Sequence, residues 1–352
     1  MRVAWIVYGA LEQRTGGYIY DAAIAYRLRA AGDAVEIVSI AAGSDPAHLA
    51  HRLSDGHYDA IVGDALAARE LGGALPKCAG RAARVLLVHH LTSWEHEVQN
   101  AQALREEEAR AIATSDHLVA TSAWTAARLS GEYGRACDVV MAGSDRLERL
   151  ERPRAAAGRV ILTFVGSIVP RKRLSLLLEA VDRANPNLEL RVIGDPTRDP
   201  AHAASIRNCL ERRPSLRKRV AMLGLVDDRV LARELALADA LVLPSSLEGY
   251  GMVLSEALHA GVPVIAARMG PLSEIVGSGE CALLFDGDAD RLAELLTRFA
   301  SEPLLRERMR AAAEERALFL PNWDEAAAAF RTVLTRAVAA REDAAPSIER
   351  AP

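Results

Sequence analysis

Two glutamates eight positions apart, Glu248 and Glu256, interrupt the otherwise small and apolar stretch ALVLPSSLEGYGMVLSEALHAGVPVIAA at residues 240–267. A buried carboxylate is costly unless something donates hydrogen bonds to it, so acids in such a stretch need an explanation. Glu248 falls in the loop after a predicted strand. Gly249 and Gly251 flank Tyr250, so the backbone can approach a ligand closely before it enters a helix through Met252 and Val253. The start of that helix offers unpaired N–H groups and the positive end of its dipole, a seat for an anion such as phosphate. Glu256 follows just over two turns later and faces the same general direction. Two acceptors beside an anion seat suit a hydroxyl-rich, phosphorylated ligand, a nucleotide sugar. The spacing leaves a second reading open, in which Glu248 is solvated and Glu256 caps the helix or pairs with an arginine.

Other residues invite the same scrutiny. Lysine occurs only at positions 77, 172 and 218, and Lys172 stands in the basic run PRKR between Arg171 and Arg173. His89 and His90 close a predicted strand, the end at which α/β proteins place their ligands. The loop YGALEQRTGGY lacks the G-x-G-x-x-G fingerprint, which argues against a dinucleotide enzyme. DGDAD at 286–290 contains D-x-D but runs straight into RLAELLTRF, so Asp288 or Asp290 is expected to cap a helix. HHLTSWEHE at 89–97 has histidines and glutamates without the H-E-x-x-H spacing. No metal site is predicted. Cys78, Cys137, Cys209 and Cys281 form no C-x-x-C pair and read as reduced core thiols.

These residues must be positioned by alternating strands and helices. Candidate strands are 2–8, 34–40, 58–64, 84–90, 117–122 and 138–143, with a helix over 18–31. The charged run RLERLERPRAAAG at 146–158 breaks the pattern and reads as a linker. Strands at 159–167, 188–195, 220–226, 239–245 and 262–267 then alternate with helices at 173–184, about 201–213 and 229–236. Helices at 288–300, 303–317 and 322–342 follow. Strand–helix alternation means parallel sheets covered on both faces. The expected domains are 1–150, 151–322 and a closing helix at 323–342, with a disordered tail at 343–352.

The bulk properties narrow the classes. At 352 residues, 50% hydrophobic and 26% charged, the chain can bury two ordinary cores. A net charge of −4 gives no attraction to nucleic acid. The N-terminal MRVAWIVYGALEQ reads as a first strand and not a signal peptide, and no run reaches the length of a membrane helix. A cytoplasmic location is expected.

PSSLEGYGMVLSEALHAGVPVIA closely resembles the E-x7-E signature of the family-4 retaining glycosyltransferases, glycosyltransferase group 1. FVGSIVPRKRLSLLLEAV at 164–181 is similar to that family's V-G-R-x-x-P-x-K-G segment. LRVIGDP, MLGLVDDRVLARELALADALVLPS, GPLSEIVGSGECALLFDGDADRLAELL and NWDEAAAAF resemble its other motifs, densely from about 160 to 335. In the first half the likeness is thinner: TGGYIYDAAIAYRLRAAGDAVEIVS, VHH and VVMAGSD. The resemblance implies the α/β GT-B fold: two doubly wound Rossmann-like domains, an interdomain cleft and a C-terminal crossover helix that packs back on the first domain. It implies a metal-independent retaining transfer of a hexose from a nucleoside-diphosphate sugar, with no cofactor beyond that co-substrate.

It also assigns roles. Glu248, His89 and Lys172 become catalytic. Glu248 would sit beside the donor sugar, with Gly249, Tyr250, Gly251, Met252 and Val253 supplying backbone groups, while Glu256 grips the ribose. Lys172 would neutralise the diphosphate near Gly16 and Gly17. His89, favoured over His90, would lie close to the reacting sugar. Gly194 and Leu225, with Leu223 and Gly224, would form the base site. Ser167 stands where the family usually has arginine, which removes one cation, and Arg171 is the substitute. The same fold also serves nucleotide-sugar 2-epimerases and, with Ser167 in mind, a non-catalytic partner that binds a sugar nucleotide. The acceptor, a small molecule, a glycan or a lipid-linked one, would be chosen by first-domain loops. Peripheral membrane contact and any oligomeric state are left open.

Overall fold

A computed structural model describes residues 1–78, 81–95, 100–152 and 159–343. The chain divides into two compact units. The first holds Met1–Ala142 together with Trp323–Pro352, the second Gly143–Asn322.

In the first unit the order is β1 (Arg2–Tyr8), α1 (Gly16–Ala30), β2 (Ala34–Ile40), α2 (Pro46–Asp55), β3 (Ala60–Asp64), α3 (Ala68–Ala74), β4 (Ala83–Val88), α4 (Ala101–Thr114), β5 (His117–Ala120), α5 (Ala123–Tyr133) and β6 (Asp138–Val139). All strands are parallel, in the order β2-β1-β3-β4-β5-β6. The five interior residues of β1 are fully buried, as a central strand covered on both faces requires. Neighbour order reverses between β1 and β3.

The second unit runs β7 (Val160–Val165), α6 (Leu174–Arg183), β8 (Leu188–Ile193), α7 (Pro200–Glu211), α8 (Pro214–Arg217), β9 (Val220–Gly224), α9 (Asp228–Leu237), β10 (Ala240–Leu243), α10 (Met252–His259), β11 (Val264–Ala267), α11 (Leu272–Val276), β12 (Ala282–Phe285), α12 (Ala289–Ser301) and α13 (Pro303–Ala317). Its parallel sheet has the order β12-β11-β10-β7-β8-β9 and reverses between β7 and β10. β10 and β11 are buried along their whole length. β12, which the sequence pattern did not reveal, is an edge strand that buries only its last residue.

The final helix, α14 (Trp323–Asp343), belongs to the first unit. Its Phe330 ring lies 5.2 Å from that of Trp5, and Trp323 meets Tyr20 edge-on at 5.8 Å.

The division falls after Ala142, eight residues before the boundary expected at 150. The reason is local: much of the supposed linker is bonded into the second unit. Ser144 N donates to Pro321 O (2.9 Å), Arg146 pairs with Glu256, and Arg152 pairs with Asp239. Residues 153–158 of that linker, and 344–352 of the expected tail, lie outside the described residues, while Asp343 is the last residue of α14. Among the described residues no helix is long and apolar enough to cross a membrane.

Candidate functional site

The loops that follow β7 and β10 flank the point where the second sheet reverses its order. That is where open α/β sheets bind ligands. Lys172 lies on the first loop and Glu248 on the second. The two loops are tied by backbone: Ser246 N donates to Arg171 O at 2.9 Å, and Arg171 Nη1 donates to Leu247 O at 3.2 Å. Lys172 Nζ donates to Glu248 Oε1, and Arg171 Nη1 stands 3.7 Å from Oε2. Glu248 is only 8% exposed. Burial alone would raise its carboxyl, but the Lys172 ammonium and the Arg171 guanidinium overcome it and hold the group down at about 2. Two cations against one carboxylate leave the cluster with an excess positive charge.

The chain then enters α10 through Gly251, whose φ of +91° is a left-handed conformation suited to glycine. The first N–H groups of α10, beginning with Met252 and Val253, have no acceptor inside the helix. Tyr250 is buried, and burial pushes its phenol up to about 12; its ring anchors the loop from within. Between the Lys172 loop and α6, Arg173 holds a φ of +52°, an uncommon conformation for a side chain that size.

Glu256 is paired with an arginine. Arg146 Nε donates to Glu256 Oε1 at 2.7 Å, and Arg146 Nη1 reaches Asp228 Oδ1 at 2.6 Å. The second reading of the sequence, a Glu256 paired with arginine, is therefore the contact present. It engages one oxygen: among the described residues Glu256 Oε2 makes no hydrogen bond. Arg146 was missed because its charged surroundings read as linker, and nothing in RLERLERPR marks one arginine from the next.

The remaining candidates of the second unit cluster at the same sheet end. A Cβ on Gly194 would lie 1.9 Å from Gly166 O, so glycine is required there for β8 and β7 to end side by side. Gly194 N donates to Gly224 O at 2.9 Å, joining that turn to the end of β9, where Leu223 and Leu225 are exposed. Ser167 O accepts from Val169 N at 3.0 Å within the Lys172 loop. Asp288 caps α12, accepting from the N–H groups of Asp290 and Arg291, as the sequence indicated.

Gly16, Gly17 and His89 belong to the first unit. Gly16 and Gly17 open α1, and a Cβ on Gly17 would sit 3.0 Å from His89 Cδ2. His89 Nε2 lies 3.2 Å from Asp21 Oδ1, and His90 pairs separately with Glu95 at 3.0 Å. Asp21, Asp64 and His89 bring three potential ligand atoms within 4.8 Å of one another. The sequence did carry a signal for Asp21: it falls at helical spacing from Tyr18, Ile24, Ala25 and Leu28, on the buried stripe of α1.

Comparison with known proteins shows what this chain is similar to. Residues 145–316 match the sequence model described as "Glycosyl transferases group 1". The chain is 32% identical over 250 residues to the D-inositol 3-phosphate glycosyltransferase of Thermomonospora curvata, covering 62% of this chain and 56% of that one. It is 32% identical over 207 residues to the MMP alpha-(1->4)-mannosyltransferase of Mycolicibacterium hassiacum, covering 54% and 46%. The chain thus spans about half the length of the curated relatives it matches. Among solved structures it is similar to the sucrose-phosphate synthase of Thermosynechococcus elongatus, with a TM-score of 0.83 at 22% identity over 96% of this chain and 99% of that one. It is also similar to Anabaena Alr3699/HepE in complex with UDP and glucose, with a TM-score of 0.77 at 19% identity over 96% and 100%. The fold is that of GT-B glycosyltransferases.

Proposed function

From the match of residues 145–316 to the glycosyl transferases group 1 model, we propose that this chain moves a sugar from a nucleoside-diphosphate sugar to an acceptor hydroxyl with retention of anomeric configuration. One observation carries the reading: Lys172 and Arg171 converge on Glu248 beside the start of α10, at the reversal point of the second sheet. Such a cluster suits a diphosphate leaving group, whose charge grows as the glycosidic bond breaks.

The diphosphate takes Lys172, Arg171 and the first N–H groups of α10, and Arg171 supplies the cation that Ser167 lacks. Glu248, released in part from Lys172, accepts from sugar hydroxyls. Glu256 offers Oε2 to the ribose hydroxyls while Arg146 fixes Oε1. A charge-assisted bond of this kind contributes roughly 1.5–3 kcal/mol. Leu225 and the turn of Gly194 and Gly224 lie against the base. The acceptor oxygen bonds to the anomeric carbon on the face from which the diphosphate departs, and its proton passes to a diphosphate oxygen. No resident cofactor takes part. The named activities of the relatives and the UDP and glucose held by Anabaena Alr3699/HepE support a sugar-nucleotide donor.

Thermal unfolding against UDP-, GDP- and ADP-sugars tests this. A donor at a hundred times its Kd stabilises by about 2.7 kcal/mol, and Lys172→Met is expected to weaken binding at least tenfold. No stabilisation by any donor sinks the reading. Epimerised donor without acceptor would identify a 2-epimerase instead, and tight binding without turnover on any acceptor a non-catalytic partner.

A further inference from the structure

We propose that Asp21, Asp64 and His89 form a buried triad in the first unit, in which one carboxyl keeps its proton and the other, as a carboxylate, keeps His89 an imidazolium through neutral pH. Three elements deliver the groups. Asp21 comes from the second turn of α1, Asp64 is the last residue of β3, and His89 follows β4 directly. Asp64 is in register with Leu87 on the neighbouring strand. His89 therefore falls on the same face of the sheet. Gly17 lets α1 settle against the imidazole, and Tyr20 meets that ring edge-on at 5.1 Å.

Asp21 and Asp64 are almost wholly buried, and their oxygens and the imidazole nitrogen lie within 4.8 Å of one another. Burying two ionised carboxylates this close together is costly even with one imidazolium beside them, so one of them takes a proton. The hydrogen bonds point to where it sits. Asp21 Oδ1 faces His89 Nε2, and Asp64 Oδ1 accepts from Leu66 N at 2.9 Å. Asp21 Oδ2 is buried without a hydrogen-bond partner among the described residues. Asp21 has the imidazole as its partner, so the proton sits on Asp64. Among the described residues, the charged and titratable groups facing His89 are Asp21 and Tyr20 from α1 and Asp64 from β3. The Tyr20 hydroxyl is committed to Val140 O at 2.9 Å. Burial, reinforced by the charge of Asp21, pushes Asp64 up to about 7. Burial would lower His89, but its bond to Asp21 and the charges of both carboxylates outweigh it and raise it.

The protonation state stands on this geometry alone, while its consequence for catalysis rests on the glycosyl-transfer reading above. The test is a pH titration of the His89 imidazole 15N shifts in the full chain, assigned with His89→Gln. The His89 midpoint is expected to lie above that of free imidazole. Asp21→Asn should bring its midpoint down by about one unit, and a carboxyl signal titrating near neutrality should vanish in Asp64→Asn. A neutral His89 at pH 7 in the wild type overturns the proposal, as does an Asp21→Asn midpoint that has not moved. So does Zn2+ or Mn2+ that binds stoichiometrically and broadens the His89 signals, because the cluster would then be a metal site. Should either variant fail to fold, the wild-type titration decides. In the activity arm, the alkaline limb of kcat moves to lower pH in Asp21→Asn while the donor KM holds. Absence of turnover in both proteins at every pH would count against glycosyl transfer and leave the titration result untouched.

Discussion

Glu248 carries a sign that can be checked. Its carboxyl stands near 2 in the folded chain against an ordinary value of 4.5, because Lys172 and Arg171 outweigh its burial. A lowered folded value means that its contribution to stability is complete above about pH 4.5 and fades as pH falls toward 2. Denaturation midpoints from pH 6 down to 2.5 should therefore show an acid-dependent loss, on the order of 3 kcal/mol, that Glu248→Gln lacks. At neutral pH the same variant should be less stable by about 3–5 kcal/mol, since it strands a buried Lys172. Identical acid profiles for the two proteins would mean that the carboxylate is not held by its cations. Glu248, Lys172 and Glu256 were legible in the sequence because an acid amid apolar residues, and a lysine in a chain with three, stand out. Arg146 was not legible. Its partner is 110 positions away, and one arginine among many gives no local sign of which will find a distant acid.

Elements were easier to read than their edges. The strands and long helices announced themselves by runs of apolar residues and by helical spacing, and the helix at 303–317 has the bounds the spacing gave. β12 escaped although Ala282–Phe285 is an apolar run, because four such residues between a glycine-rich turn and the acidic DGDAD show no period that marks a strand. The division between units escaped because a charged segment can be bonded in by single ion pairs that no periodicity encodes. The last helix illustrates what packing adds. α14 lies 180 residues of chain away from the rest of its unit and is held there by Trp323, Phe330 and the pair Arg331–Asp33. Phe330 is fully buried against Trp5. Phe330→Ala is expected to cost about 3–5 kcal/mol in urea denaturation, whereas Phe319→Ala, at a side chain 69% exposed, should stay within about 0.5 kcal/mol. Equal costs would mean that α14 is not part of the core of the first unit.

Across the whole molecule, each sheet reverses its strand order once, and each reversal has candidate chemistry beside it: Lys172 and Glu248 in the second unit, the Asp64–His89 pair in the first. Strand order was not readable from the sequence, since apolar runs say that strands exist and not which of them are neighbours. Once known, it singles out the ends of β7 and β10 among all the loops. The consequence can be mapped without any sugar. Amide hydrogen exchange in the presence of a bare nucleoside diphosphate should slow within the second unit at residues 166–173, 194–196, 223–226 and 246–254, the turns after β7, β8, β9 and β10. The far ends of the same strands, such as residues 186–188 and 238–240, should exchange as before. The contrast follows from direction: all six strands are parallel, so every carboxyl end faces the ligand and every amino end faces away. Protection concentrated at the amino ends, or along the exposed edge of β12, would place the nucleotide on a part of the sheet where neither Lys172 nor Glu248 could reach it.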